Sequence, residues 1–155
     1  MKKLRIFTDG ASRGNPGRGG YGAILIWGKI QKEISAGFKM TTNNRMELLA
    51  VIKALELLNR EGLEIDIYSD SKYVVDSVMK GWVFGWEKKG WGDKKNIDLW
   101  KEYLKHHRKH KINFIWVKGH ADNPFNNRCD QLATTAADSS NLGRDINFEA
   151  EYLGT

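Results

Sequence analysis

The stretch Ile6-Phe7-Thr8-Asp9-Gly10 is a short apolar run that ends on an aspartate followed by glycine. Residues 4–8 alternate between the two faces of an extended chain, which predicts a β-strand. A carboxylate at a strand end, beside a glycine, lies where another group can approach the backbone. Asp-Gly is also a common turn dipeptide. The interpretation of Asp9 therefore depends on which other carboxylates meet it.

The composition is that of an ordinary globular domain, with 155 residues of which 41% are hydrophobic. No apolar run approaches the roughly 18 residues of a membrane span, so we expect no membrane association. The single cysteine, Cys129, excludes an intrachain disulfide and a zinc site built on several thiolates. It also fits a reducing compartment, and we expect a cytoplasmic monomer.

Basic residues are concentrated in one window. Between Lys80 and Lys111 there are ten Lys or Arg against four Asp or Glu, whereas the rest of the chain is balanced. Four of the six tryptophans lie in the same window. A basic segment interleaved with aromatic residues is typical of a surface that binds nucleic acid. A solvated basic face over buried tryptophans is the alternative interpretation.

The order of predicted elements is β-β-β-α-β-α-α-β-α, which indicates one α/β domain with a five-stranded mixed sheet flanked by helices. The first three strands form an antiparallel meander, and the segment 81–95 is expected to be irregular. We assign residues 1–138 to a single domain and expect residues 139–155 to be a loosely ordered tail. The remaining strands are expected at 21–27, 30–39, 64–70 and 112–117, and the helices at 46–58, 71–80, 96–107 and 126–137.

Three further carboxylates are candidate partners of Asp9. Asp70 also ends a strand, and a strand–helix–strand crossover makes that strand parallel to its neighbour, so the two aspartates can share one sheet edge. Asp70 could instead cap the helix that follows it. Glu47 stands three residues after Asn44, a spacing that also suits a capping box. Asp130 lies in the last predicted helix.

Clustered carboxylates are costly unless a cation lies among them, because like charges disfavour ionisation. Mg²⁺ accepts a few carboxylates and completes its coordination with water and substrate phosphate. Two such ions can activate a water and stabilise the oxygen that departs from a phosphodiester. These features support one another, although spacing alone does not show that the four carboxylates converge.

Residues 10–20 are glycine-rich but match neither a Walker loop nor a dinucleotide fingerprint, since no GK[ST] follows and the next element is a strand. A hairpin connection is the simpler interpretation of the glycines. Ser12 and Asn15 within it remain candidate contacts.

Residues 4–137 resemble bacterial ribonuclease HI, a family of the RNase H fold. The matching motifs occur in the family's order and are separated by elements of the right type. They are Thr8-Asp9-Gly10 with Gly14-Asn15-Pro16-Gly17, Thr42-Asn43-Asn44-Arg45-Met46-Glu47, Ser69-Asp70-Ser71, Val117-Lys118-Gly119-His120-Ala121 and Asn127-Arg128-Cys129-Asp130.

The resemblance implies an endonuclease that hydrolyses the RNA strand of an RNA–DNA hybrid with two Mg²⁺ ions, which Mn²⁺ can replace, leaving 5′-phosphate and 3′-hydroxyl ends. By motif position, Asp9, Glu47, Asp70 and Asp130 would bind the metal. His120 would assist proton transfer or product departure rather than bind the ion, which agrees with the low affinity of Mg²⁺ for imidazole.

The resemblance also implies the substrate contacts. The 2′-hydroxyl distinguishes RNA from DNA, and the hybrid's minor groove would be read by Ser12, Asn15, Asn43, Asn44 and Lys72. Thr42 and Asn96 match positions that hold a DNA-strand phosphate, and Tyr73 and Trp82 match residues that line the DNA groove. The basic window would be the family's protruding handle, with Lys88 and Lys89 on it and no separate hybrid-binding domain before it.

Three departures from the family pattern concern the substrate contacts and none concerns the carboxylates. Lys72 stands where the better-known bacterial form has glutamine, Met40 stands where a basic residue often supports the DNA-phosphate pocket, and the segment between Trp91 and Asn96 is short.

Integrases, transposases and junction resolvases use a similar fold and acidic cluster, but the Asn43-Asn44 pair and the handle favour hybrid cleavage. A binding module without catalysis would lack a carboxylate, and a reverse-transcriptase fragment is disfavoured because we expect a complete domain.

Overall fold

The computed structural model describes residues 3–118 and 123–154. Six strands form one mixed sheet, and helices cover both of its faces. The strands are β1 Leu4–Gly14, β2 Gly17–Trp27, β3 Ile30–Thr41, β4 Glu64–Ser69, β5 Lys111–Trp116 and β6 Leu142–Gly143. The helices are α1 Asn43–Glu56, α2 Lys72–Met79, α3 Trp82–Lys88, α4 Ile97–His107, α5 Pro124–Ala137 and α6 Ile146–Leu153.

The strand order across the sheet is β5-β4-β1-β2-β3-β6. The first three strands form the predicted antiparallel meander, and β4 pairs with β1 in parallel, as does β5 with β4. The predicted mixed α/β sheet is thus confirmed. β1 lies between an antiparallel and a parallel neighbour, so its carboxyl end is next to that of β4.

The alternation in β1 divides its side chains between two apolar layers. Leu4 and Ile6 belong to the larger core with α1 and α4, where Trp100 and Tyr103 are fully buried. Phe7 points to the other face, where it packs with Ile24 and Cys129 under α5. None of the helices in residues 3–118 and 123–154 has the length and apolarity to cross a membrane.

The segment that the sequence predicted as irregular contains α3. Val83 is buried in the larger core, and Phe84, Trp86 and Trp91 pack against that core. Glu87 forms an ion pair with Arg108, which follows α4. Apolar burial and this ion pair hold the helix in place despite its internal glycine, Gly85.

The C-terminal residues contain two elements, β6 and α6, that were not among the elements predicted from the sequence. β6 pairs in parallel with β3 at Gly37 and Phe38, which makes the sheet six-stranded rather than five-stranded. α6 follows directly. The sequence signal was weak because β6 has only two residues and depends on pairing with a distant strand.

Candidate active site

Asp9 and Asp70 lie at the same edge of the sheet. The parallel register of β1 and β4 pairs Phe7 with Tyr68, and the same register continued by two residues brings the two aspartates alongside each other. This is the arrangement that the crossover connection predicted. In open α/β sheets ligands bind at this carboxyl edge.

Glu47 reaches the same edge because α1 packs closely on β1. A β-carbon on Gly10 would lie 2.4 Å from the Glu47 nitrogen, closer than any side chain allows. The first turns of α1 therefore lie directly against the residue that follows Asp9. Glycine at this position permits the approach.

The capping roles considered for Glu47 and Asp70 belong to other residues. Thr42 is the N-cap of α1, and its hydroxyl accepts a hydrogen bond from the Arg45 nitrogen at 3.2 Å. Ser71 is the N-cap of α2, and its hydroxyl accepts from the Val74 nitrogen at 3.2 Å. Neither carboxylate is needed to complete a helix.

The three carboxylates form a compact oxygen-donor cluster. Asp9, Glu47 and Asp70 each offer one oxygen, and these oxygens lie within 4.8 Å of one another. Asp9 is 7% exposed and Glu47 5% exposed. Glu47 Oε1 and Asp70 Oδ1 are buried without a hydrogen-bond donor within residues 3–118 and 123–154. Buried acceptors without donors are costly, and an oxygen-binding cation would satisfy them.

The pKa values reflect this crowding. Burial, followed by the charges of Asp70 and Asp130, raises the pKa of Asp9 to about 8. Burial, followed by the charges of Asp9 and Asp70, raises the pKa of Glu47 well above its usual value. A bound cation reverses this tendency, because it stabilises the ionised carboxylates.

Asp130 lies on α5, on the other side of Asp9, and is exposed. Its charge raises the pKa of Asp9, after burial and the charge of Asp70, so the two carboxyl groups are near each other. Gly22 faces Asp9 across the β1–β2 pair, and a β-carbon there would lie 2.6 Å from the Cys129 carbonyl oxygen. The close packing of α5 on β2 thus brings Asp130 near Asp9, but its carboxylate is not one of the three whose oxygens lie within 4.8 Å of one another.

His120 lies outside the described residues, so its role remains a prediction. Asn123, just after this segment, caps α5 by accepting hydrogen bonds from the nitrogens of Phe125 and Asn126 at 3.1 and 3.2 Å. Asn123 therefore begins the helix that carries Asp130.

Two of the predicted minor-groove residues are joined directly. Asn15, in the β1–β2 turn, accepts a hydrogen bond through Oδ1 from the Asn43 nitrogen at 3.0 Å. Ser12 is half-buried on β1, and Asn44 is exposed in the first turn of α1. The turn and the start of α1 thus form one polar surface beside Glu47.

Two of the residues predicted to contact the DNA strand, Asn96 and Tyr73, are hydrogen-bonded to each other. The Asn96 amide donates to the Tyr73 hydroxyl at 3.1 Å, and the Trp100 indole donates to the same hydroxyl at 2.8 Å. Thr42 is half-buried at the α1 cap.

The predicted basic contacts are exposed, and two lysines lie over tryptophans. Lys72 Nζ is 4.2 Å from the Trp116 ring, and Lys80 Nζ is 5.4 Å from the Trp82 ring. Lys88 and Lys89 are exposed at the end of α3. Cation–π contact orients such ammonium groups without neutralising them.

Sequence reasoning missed two residues of this region. Trp116, 43% exposed, donates from its indole to the Asp70 carbonyl at 3.3 Å and lies under Lys72. Arg45 is 3% exposed and contacts carboxylates from two distant segments. The available signal for Arg45 was a basic residue within an otherwise apolar helix face, since such a residue needs buried partners.

The comparison with known proteins agrees with this geometry. The sequence model of the RNase H family matches residues 1–138. The chain belongs to the RNase H family. Among curated relatives, the ribonuclease H of Acetivibrio thermocellus is 54% identical over 139 residues, covering 86% of this chain and 94% of that protein. The ribonuclease H of Desulforamulus reducens is 49% identical over 151 residues, covering 94% of each. The protein is thus a ribonuclease H enzyme.

Solved RNase H structures share the fold. LC9-RNase H1 superposes with a TM-score of 0.79 at 26% identity, covering 97% of this chain and 81% of that one. LC11-RNase H1, whose crystal structure holds an RNA/DNA hybrid, has a TM-score of 0.63 at 26% identity and covers 88% of this chain and 97% of that one. The predicted RNase H fold is confirmed.

Proposed function

We propose that this protein is an endonuclease that hydrolyses the RNA strand of RNA–DNA hybrids, leaving 5′-phosphate and 3′-hydroxyl ends. The observation that carries the proposal is the cluster of the buried Asp9 and Glu47 with the half-buried Asp70 at the carboxyl edge of the sheet. The likeness to LC11-RNase H1, solved in complex with an RNA/DNA hybrid, supports a hybrid as the substrate.

The donor set fits a divalent cation. All the candidate metal ligands are carboxylate oxygens, which suit Mg²⁺ and Mn²⁺ better than softer metals. The buried Glu47 Oε1 and Asp70 Oδ1 have no hydrogen-bond donor among the described residues, so both oxygens are free to bind an ion. We propose that two Mg²⁺ ions bind together with the substrate and that Mn²⁺ can replace them.

Each carboxylate has a distinct part in this scheme. When bound, the ions would activate a water and stabilise the oxygen that departs from phosphorus. Asp9, which lies among Glu47, Asp70 and the neighbouring Asp130, would be the central carboxylate of the set that holds the ions. Asp130 is more exposed, so its carboxylate can bind at the side open to solvent and substrate. His120 is proposed to take or return a proton as the product leaves.

The hybrid is proposed to lie across the surface that surrounds the cluster. Its minor groove would contact polar groups near the β1–β2 turn and the start of α1, where hydrogen bonds to 2′-hydroxyls select RNA. The proposed minor-groove contacts are Ser12, Asn15, Asn43, Asn44 and Lys72. Thr42, Asn96, Tyr73 and Trp82 are proposed for the DNA strand, and Lys88 and Lys89 for its phosphates.

We further propose that residues 1–138 form the catalytic domain and that the enzyme acts as a cytoplasmic monomer. The single cysteine supports a reducing compartment.

The test is cleavage of an end-labelled RNA–DNA hybrid by the full chain in Mg²⁺, with duplex DNA of the same sequence as the comparison. We expect cuts in the RNA strand alone, and losses of at least about a hundredfold for Asp9→Asn and Asp70→Asn. Glu102→Gln, an exposed change on α4, is the matched control and should retain full activity. Hybrid binding without cleavage would indicate a binding module, and cleavage of duplex DNA would favour an integrase-like or resolvase-like activity.

A further inference from the structure

Asp145, in the C-terminal segment of residues 142–153, contacts the start of α1. Asp145, which precedes α6, is 9% exposed. Its Oδ2 accepts hydrogen bonds from the Thr41 hydroxyl and from Arg45 Nε, both at 2.7 Å, and its Oδ1 accepts from Arg45 Nη2 at 2.9 Å. The pairing of β6 with β3 holds this aspartate in place from the other side.

Arg45 is enclosed by carboxylates of two elements. Besides the fork to Asp145, Nη1 and Nη2 donate to the two oxygens of Asp98 on α4 at 2.9 and 2.7 Å. Phe148 of α6 covers the guanidinium at 5.8 Å. Burial opposes ionisation of Asp98, but the hydrogen bonds and charge of Arg45 outweigh it and lower the pKa of Asp98. Two bidentate ion pairs fix both the position and the plane of the guanidinium.

Arg45 contacts two of the residues proposed to hold the DNA strand, one through its guanidinium and one through its backbone. Arg45 Nη1 donates to Asn96 Oδ1 at 3.4 Å, and the Asn96 amide donates to the Tyr73 hydroxyl at 3.1 Å. The Arg45 backbone nitrogen donates to the Thr42 hydroxyl at 3.2 Å. Arg45 thus touches both Thr42 and Asn96.

Asn96 needs such support because of its backbone. Its φ is 62°, in the left-handed region, which asparagine adopts more often than other non-glycine residues but which is uncommon even for asparagine. Conformations of this kind persist only where the surroundings over-determine them. Arg45 and Tyr73 bind the two ends of the Asn96 amide and supply that constraint.

We propose that the C-terminal segment positions the DNA-strand contact of the enzyme, with Asp145 acting through Arg45 on Thr42 and Asn96. Asp145 and Arg45 are positioning residues, since Arg45 is too buried to reach the substrate. The inference deepens the proposed hybrid cleavage and rests on it. It assigns a role to residues beyond the proposed catalytic domain.

The charge of Asp145 makes the direction of the KM change a test of the proposal. Asp98 and Asp145 together exceed the charge of Arg45 by one negative charge, next to a site for a phosphate. If the segment acted only through its charge, Asp145→Asn would favour the phosphate and lower KM. If the segment positions Arg45, Asp145→Asn loosens Thr42 and Asn96 and raises KM.

The first measurement is steady-state cleavage of a hybrid by full-length variants, at a temperature where circular dichroism shows each to be folded. For Asp145→Asn we expect KM to rise about tenfold and kcat to change by less than about twofold, because the carboxylate cluster is untouched. Glu149→Gln is the matched control. Like Asp145→Asn, it converts a carboxylate of the C-terminal segment to an amide, but the partner of Glu149 is Arg144 and not Arg45.

Thr41→Val is a milder second variant in case Asp145→Asn unfolds. It removes the 2.7 Å hydrogen bond to Asp145 without changing any charge or much volume. A rise in KM in the same direction, smaller than for Asp145→Asn, is expected. An unchanged KM in both variants would overturn the proposal.

The second measurement separates positioning from general destabilisation. A set of hybrids is prepared in which one phosphate of the DNA strand is replaced by a neutral methylphosphonate, at a different position in each hybrid. The position whose replacement raises KM for the unmodified chain identifies the phosphate that the enzyme contacts. For hybrids modified at that linkage, Asp145→Asn should raise KM by less than about twofold further, because both changes affect the same interaction. For hybrids modified at other linkages, the full effect of Asp145→Asn on KM should remain. An effect of Asp145→Asn that is equal at all linkages, or a lower KM, would overturn the inference.

Failure of the inference is distinguishable from failure of the proposed function. If the unmodified chain leaves every hybrid intact, hybrid cleavage itself is wrong and the inference falls with it. If the unmodified chain cleaves and Asp145→Asn behaves like Glu149→Gln, only the role of the C-terminal segment is wrong.

Discussion

Gly10 and Glu47 are in such close contact that a β-carbon on Gly10 would lie 2.4 Å from the Glu47 backbone nitrogen and 2.5 Å from the Met46 carbonyl carbon. Both clashes are with backbone, which no side-chain rotation relieves. The missing side chain at residue 10 therefore sets the distance between β1 and α1. That distance brings the carboxylate of Glu47 to that of Asp9.

Gly10→Ala should push α1 away from β1 and separate Glu47 from the other carboxylates. We expect a loss of about 1–3 kcal/mol in the free energy of unfolding from overpacking, measured by urea denaturation. Hybrid cleavage should fall by more than about tenfold, because a displaced ligand weakens the metal site. Gly85→Ala is the control, since a β-carbon at residue 85 would have nothing within 4 Å, and it should stabilise α3 by about 0.5–1 kcal/mol. Full activity in Gly10→Ala would show that the close approach is unnecessary.

Asp70→Asn should make the metal-free protein more stable while it abolishes cleavage. Without a cation the three carboxylates repel one another, and an amide at residue 70 removes part of that repulsion. Thermal unfolding in EDTA should show a higher Tm for Asp70→Asn than for the unmodified chain. Added Mg²⁺ should raise the Tm of the unmodified chain and have little effect on the variant. A lower Tm of Asp70→Asn in EDTA would contradict a repulsive cluster.

The stability of the metal-free protein should depend on pH through Asp9. Its pKa is raised from 3.8 to about 8, by burial first and then by the charges of Asp70 and Asp130. Between these values the folded state binds the proton more tightly than the unfolded state. The free energy of unfolding therefore falls as pH rises, by at most about 1.4 kcal/mol per pH unit for this group.

Mg²⁺ competes with this proton, so its stabilising effect should grow across the same pH window. Urea denaturation in EDTA and in Mg²⁺, at about pH 5, 6.5 and 8, measures both slopes. Asp9→Asn is the control and should reduce the slope of the metal-free profile, and the raised pKa of Glu47 should account for the slope that remains. Equal stabilisation by Mg²⁺ at the lowest and highest pH would contradict the raised pKa of Asp9.

Lys88→Ala/Lys89→Ala should weaken hybrid binding and reduce its salt dependence. Each lost phosphate contact lowers the slope of log K against log salt by about 0.9, so a pair of contacts should lower it by about twice that amount. The carboxylate cluster is untouched, so kcat at saturating hybrid should be retained. Lys29→Ala/Lys32→Ala, two exposed lysines at the β2–β3 hairpin, is the control of equal charge. The same slope for both double variants would count against the handle.

The elements around Asp9, and the sheet edge at which they meet, follow from the sequence alone. The alternation of residues 4–8 defined a strand, and the strand–helix–strand order after it made β4 parallel, so Asp9 and Asp70 were expected at one edge, as observed. These features are readable because side-chain periodicity is a local pattern and a helical crossover between strands makes those strands parallel. The family motifs then identified the chain as an RNase H.

The pairing of the polar groups, in contrast, is set by tertiary packing. The spacing of Asn44 and Glu47 suited a capping box, but Thr42 is the cap of α1, which leaves Glu47 for the cluster. Arg45 forms ion pairs with Asp98 and Asp145, and the pair with Asp145 joins the C-terminal segment to α1. A buried charge is stable only beside partners that complete its hydrogen bonds. Those partners come from distant segments that packing brings together, and no local pattern encodes that proximity.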